Sequence, residues 1–415
     1  MLKFIGWTLL ALFVAGALLV TIVPRFMNRV YHRGPATDHF DGERFFNPDG
    51  DEDTARPPGP GGRGSFFWRY LTGSDGRPPW PASVAVAPAK PEQLLQPFLP
   101  PPVYVPATPD QIARTPMVAT WIGHATVLVQ TPGLNILTDP IWSAKAGPLG
   151  LGPRRVAAPG ISFDDLPKID VILLSHNHYD HMDLTTLKRL WKRDRPMIVT
   201  SLGNDAILRS KGIEARAADW GEVIVVARQA GVGSNSFSPD PVKIVVTRNH
   251  HWGSRWFTDR NRALWSSFVV TLPGGNLFFA GDTGFGDGEW PVEAASHGPI
   301  RLALLPIGAF RFAPGQMGSG SHIGPVDAVE VFRRTGATTA IPIHWGTFRL
   351  SYEAYDTPPR LLAEAMRATG QTGFAPVAIG RPFTVPPLGR RAPVAPVPRA
   401  ELLRRLSTPA VEAMR

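Results

Sequence analysis

Three histidines and an aspartate fall within seven residues, Ser175-His176-Asn177-His178-Tyr179-Asp180-His181, directly after the apolar run Val171-Ile172-Leu173-Leu174. A short apolar, β-branched run reads as a buried strand, so the polar cluster begins where that strand leaves the core. Alternate residues of an extended chain share a face, which sends His176 and His178 to one side. Asp180 and His181, at the start of the next helix, face a second point a few ångströms away. A solvated His-rich turn is the competing reading. Neutral imidazoles and carboxylates are zinc ligands, however, and together they crowd a single tetrahedral ion. The 415-residue chain has no cysteine, which excludes disulfides, thiolate nucleophiles and sulfur-bound zinc. Any metal must be held by His, Asp or Glu.

More ligand types stand at later strand ends. His250 and His251 follow Lys243 to Thr247, Asp282 follows Leu277-Phe278-Phe279-Ala280-Gly281, and His344 follows Ile341-Pro342-Ile343. An acid after an apolar strand would be unpaired without a cation. Further strands are expected at Met117 to Gln130, Leu134 to Thr138, Met197 to Thr200, Ser266 to Leu272, Asn276 to Ala280, Leu302 to Pro306 and Thr339 to Pro342. Helical patterns cover Leu184 to Lys192, Pro325 to Arg334 and Arg360 to Thr369. Many strands with occasional helices predict an α/β arrangement of two packed sheets covered by helices.

The N-terminus is of another kind. Phe4 to Val23 is 20 residues without a charge, enough for a helix of about 30 Å, the thickness of a bilayer core. The expectation is a single-pass transmembrane anchor over residues 1–24 rather than a cleaved signal peptide, since the apolar run continues past Ala15-Gly16-Ala17. Arg25, Arg29 and Arg33 lean the body towards the cytoplasm. Residues 25–112 read as a Pro/Gly-rich extension with little regular structure, interrupted by the aromatic run Phe66 to Leu71. Either those rings pack on the main domain or they form an apolar wall for lipid chains. The hydrolase domain is expected at 113–385, and 386–415 reads as a solvated Pro/Arg-rich tail. A formal charge of +9 without a dense basic run gives no sign of nucleic-acid binding.

These stretches resemble the metallo-β-lactamase superfamily, and within it the N-acylphosphatidylethanolamine-hydrolysing phospholipase D family. The matching strings are HFDGERFFNP (39–48), TWIGHATVLVQ (120–130), LTDPIW (137–142), GPRRV (152–156), LPKIDVILLSHNHYDHMD (166–183), HWGSR (251–255), FFAGDTGF (278–285), PIGAF (306–310) and AIPIHWGTF (340–348). The resemblance implies an αββα sandwich with two zinc ions. It implies that His176, His178 and His251 hold one ion, that Asp180, His181 and His344 hold the other, and that Asp282 bridges them. His251, not His250, directly precedes the Trp-Gly-Ser-Arg of the matching string. His322 matches a functional histidine and is the candidate proton donor or positioning group, with Asp180 the other catalytic candidate. His124 and Asp139 would orient ligands, a buried structural pair being the alternative.

The implied activity is phosphodiester hydrolysis of N-acylphosphatidylethanolamine or a related phospholipid at a membrane. The alternatives are a lactonase or soluble phosphodiesterase of the same superfamily, or a tethered metal-binding scaffold. The same His/Asp donors also accept manganese or iron, and a homo-oligomer is compatible with this reading. One departure stands out: the stretch Phe310 to Gly320 is short of the family's longer aromatic-acidic segment, beside His322.

Overall fold

The interior strands are buried on both faces, as sheets stacked against each other and covered by helices require. The computed structural model describes residues 2–27, 29–50, 76–95, 108–226, 241–256, 258–312, 316–389 and 394–414; the side chains of 2–4, 20–27, 109 and 149 are left aside. The runs Arg56 to Gly64 and Phe66 to Leu71 lie outside the described residues.

Thirteen strands follow in chain order: β1 Val118–Gly123, β2 Thr126–Thr131, β3 Leu134–Thr138, β4 Val171–Leu174, β5 Met197–Ser201, β6 Arg216–Ala218, β7 Val223–Val226, β8 Val242–Thr247, β9 Ser267–Val270, β10 Asn276–Phe279, β11 Ile300–Pro306, β12 Thr339–Ile343 and β13 Pro382–Thr384. They form a seven-stranded sheet, β13-β1-β2-β3-β4-β5-β6, and a six-stranded sheet, β12-β11-β10-β9-β8-β7. In the first, β3 to β6 pair in parallel and the rest antiparallel. In the second, β10 to β12 are parallel and the others antiparallel.

Alternation along each strand divides its residues between two apolar layers. Val171 and Leu173 of β4 face the central layer with Ile244, Phe268, Phe279, Leu304 and Ile343 of the opposite sheet. Ile172 and Leu174 point outward, against Leu187 and Leu190 of helix Leu184–Asp194. On the far side, Phe278, Ala303 and Leu305 meet Val329 and Phe332 of helix Pro325–Thr335 and Leu361 and Leu362 of helix Thr357–Thr369. The αββα sandwich is therefore the architecture.

Several expectations change. Met117 to Gln130 is two strands, broken where Gly123 and His124 take φ of 130° and 56°. The tail is not solvated throughout: Leu402, Leu406, Val411 and Met414 are buried in the outer layer, and Arg399 Nε donates to Asp327 Oδ1 at 2.7 Å. The extension lacks regular structure in residues 29–50, yet this segment is docked, with Phe40 and Phe45 buried beside Leu264 and Trp265.

The first helix, Leu2–Met27, carries the apolar run, and Trp7, Leu9, Leu12, Phe13 and Leu19 on it are exposed. Among the described residues no helix is long and apolar enough to cross a membrane. The transmembrane anchor expected over residues 1–24 is thus not borne out by the described residues.

Candidate metal centre

The residues singled out in the sequence converge at one end of the sandwich. β1, β3 and β4 run in one direction in the first sheet, and their C-terminal ends deliver His124, Asp139 and the Ser175–His181 turn. β8, β10 and β12 run together in the second sheet and deliver His251, Asp282 and His344. Three of these residues are in left-handed backbone conformations: His124 at φ 56°, Asp139 at 29° and His344 at 62°. Such conformations cost about 1–3 kcal/mol each and persist only where neighbours over-determine them. Here the His124 carbonyl accepts both the His344 amide at 3.1 Å and Trp121 Nε1 at 2.9 Å, and Thr347 Oγ1 accepts the His124 amide at 2.7 Å.

Two four-membered groups of ligand atoms result, each with all members within 4.8 Å of one another: His176, His178, His251 and Asp282, and His124, Asp180, His181 and His344; Asp139 with His176 and His181, and Asp282 with His322 and His344, form two smaller ones. Asp282 stands between the two larger groups. Its Oδ2 lies 3.0 Å from Nε2 of His181 and of His344, and 4.0 Å from Nε2 of His176 and of His251. Asp180 Oδ2 lies 2.9 Å from His124 Nε2 and 3.4 Å from Nε2 of His181 and of His344. His124, expected to act from outside the ligand set, touches Asp180 directly. His250 turns away: its Nδ1 meets Asp49 at 3.0 Å.

Hydrogen-bond partners fix which nitrogen each imidazole presents. Nδ1 faces Asp139 Oδ2 at 2.6 Å in His181, the Ser321 carbonyl at 2.8 Å in His251, and the Gly308 carbonyl at 3.2 Å in His344. Ser175 Oγ donates to Asp139 Oδ2, so it accepts from His176 Nδ1 at 2.9 Å. In all four rings Nδ1 is the donor and Nε2 points inward, as a bare lone pair in the neutral rings of His176 and His251. His176 Nε2 then faces His178 Nδ1 at 2.8 Å.

Burial pushes His178, His251, His322 and His124 down to about 3 and His176 well below its ordinary value. For His344 burial opposes charge, but Asp282 and Asp180 overcome it and raise the group to about 9; His181 is raised for the same reason. Burial also opposes ionisation of Asp282, yet the imidazoles of His181 and His344 hold it well below the carboxylate range. Asp282 Oδ1 and His178 Nε2 are buried without a hydrogen-bond partner. Inward lone pairs, two ionised carboxylates and unpartnered buried polar atoms are what divalent cations satisfy, so the donor set fits two ions without sulfur.

His322 completes the rim. Its Nδ1 is 3.8 Å from Asp282 Oδ2, and its ring stacks on His344 at 5.5 Å and lies 5.8 Å from Phe312. Trp252, 4.2 Å from the His178 ring, forms another edge. The sequence reading missed Ser175, the Ser321 carbonyl and Asn47 as supports of the ligands. Only Ser175, adjacent to His176, had a position that could have suggested its role.

Fold and site together define a metal-dependent hydrolase. A beta-lactamase superfamily domain matches residues 134–345, and the chain belongs to the metallo-β-lactamase superfamily. It is 33% identical over 294 residues to "N-acyl-phosphatidylethanolamine-hydrolyzing phospholipase D 1" of Caenorhabditis elegans, covering 67% of this chain and 79% of that protein. A mitochondrial protein of the same description from Saccharomyces cerevisiae is 32% identical over 60% of this chain and 52% of its own length. Among solved structures, a metallo hydrolase from Ignicoccus hospitalis is 19% identical, with a TM-score of 0.47 over 65% of this chain and 98% of that one.

Proposed function

We propose that the chain is a membrane-anchored phosphodiesterase that uses two zinc ions to hydrolyse N-acylphosphatidylethanolamine or a closely related phospholipid, releasing phosphatidic acid and an N-acylethanolamine. The observation that carries the reading is the placement of Asp282 between two histidine-rich ligand groups. Likeness to the nematode and yeast phospholipases supplies the substrate class.

In this reading His176, His178 and His251 would hold one ion and Asp180, His181 and His344 the other, with Asp282 available to either. When bound, such a pair supplies Lewis acidity and a water of lowered pKa. Asp139 holds the His181 ring with Nε2 inward, and His124 holds Asp180. His322 borders the centre, and in this reading its neutral ring orients the phosphodiester. Burial of the ligand groups keeps bulk water from the reacting atoms. The exposed apolar side chains of helix Leu2–Met27 support a single-pass anchor, with the basic residues behind it favouring a cytoplasmic body.

The test is metal content combined with product analysis on the intact protein. Two ions per chain, and phosphatidic acid released from N-acylphosphatidylethanolamine, are expected. Turnover of an acyl lactone alone would replace this reading with a lactonase, and full activity with fewer than two ions would remove the paired centre.

A further inference from the structure

His251 sits in the segment between β8 and β9, where no described residue from 251 to 266 belongs to a helix or strand. Helices and strands hold their side chains by repetitive backbone bonds; a ligand on irregular backbone needs other restraints. Those restraints come from the far N-terminal side of the chain. Phe45 N donates to the Asn261 carbonyl at 2.8 Å, and Arg44 reaches the carbonyls of Arg260 and Thr258. Asp49 accepts from the Asp287 amide at 2.7 Å and pairs with His250 at 3.0 Å. At the centre, Asn47, only 5% exposed, donates from Nδ2 to the His251 carbonyl at 2.9 Å, while its Oδ1 accepts Trp265 Nε1 at 3.1 Å.

The two Asn47 bonds fix its orientation, because exchanging the amide nitrogen and oxygen would set donor against donor and acceptor against acceptor. The donor therefore holds the His251 carbonyl, and the ring of that residue is pinned at Nδ1 by the Ser321 carbonyl. We infer that Asn47 is a positioning residue for the His251 ligand. The inference rests on the ligand assignment proposed above. A purely packing role for this segment would be met by Phe40 and Phe45, without a directed donor on the carbonyl of a ligand.

The experiment uses the full-length chain loaded with zinc, and reads ion affinity by chelator competition and ligand geometry by the visible spectrum of the cobalt(II)-substituted protein. Asn47→Asp keeps the acceptor for Trp265 and sets an oxygen against the His251 carbonyl; Asn47→Ala simply removes the donor and stands in if the first variant does not fold. One of the two ions is expected to bind about 10–100-fold more weakly, the range for loss of a group supporting a ligand. The other ion should be unchanged, with the cobalt spectrum altered for one site only. Glu43→Gln, which breaks the Arg262 ion pair of the same segment, should leave both ions at wild-type affinity. Two tightly bound ions and an unaltered spectrum in the Asn47 variants would overturn the inference, as would equal loss in Glu43→Gln. His251→Ala is the separate control: if it still binds two ions tightly, the ligand assignment fails, whatever Asn47 does.

Discussion

Asp139 shows how much of the centre depends on a residue that need not touch an ion. It is fully buried, and its carboxylate receives His181 Nδ1, the Ser175 amide and Ser175 Oγ. Asp139→Asn removes the charge that keeps His181 in one tautomer, and should weaken ion binding about 10–100-fold, measured by competition with a chelating dye. The Trp121 indole is a second such support. Trp121→Phe deletes a donor to the His124 carbonyl, and the acceptor left short should cost about 1–3 kcal/mol in denaturant unfolding. At this scale the ligands were legible because each ends an apolar strand, where a charge has no reason to be unless something binds it. Asn47 and the Ser321 carbonyl were not, since their partners are backbone atoms distant in sequence and no spacing rule joins them.

Elements differ in how far their sequences declare them. β4, β10 and β11 are buried on both faces; β4 reads as an unbroken apolar run, as do β10 after Asn276 and β11 after Arg301. β6 and β13 have three residues each, and β7 alternates exposed and buried valines and isoleucine at a sheet edge, too short a pattern to stand out. The six-residue helix Asn204–Arg209 spans under two turns, so its period is hidden as well.

The docked segment of residues 29–50 shows no such pattern, yet its packing is measurable. Phe45 is 1% exposed, and Phe45→Ala should destabilise the chain by about 3–5 kcal/mol in denaturant unfolding. His39 in the same segment bonds to Asp38 at 2.6 Å and Asp219 at 2.8 Å and stacks on Trp220. Burial opposes its charge, but those two carboxylates prevail and its pKa is raised. A raised folded pKa gives stability that is complete below the unfolded value, about 6.5, and is lost as pH rises through the folded one. The difference in melting temperature between the wild type and His39→Gln should accordingly shrink from pH 6 to pH 9.

For the molecule as a whole, the centre joins the two sheets as well as serving chemistry, because each ligand group draws on both: His176 and His178 with His251, and Asp180 and His181 with His344. Ions bound only by the folded form add stability by mass action, about 2.7 kcal/mol for one site at a hundredfold excess over its dissociation constant. Chelation should lower the melting temperature, and readdition of zinc should restore it. The docking of residues 29–50 has a practical corollary for anyone shortening this protein to obtain it without its oily first helix. Tyr31 already donates to Asp259 at 2.9 Å, and the helix ends at Met27. The shears must close within that brief interval, since a start point chosen downstream, at the first strand, would discard the Asn47 bond to the His251 carbonyl along with the helix.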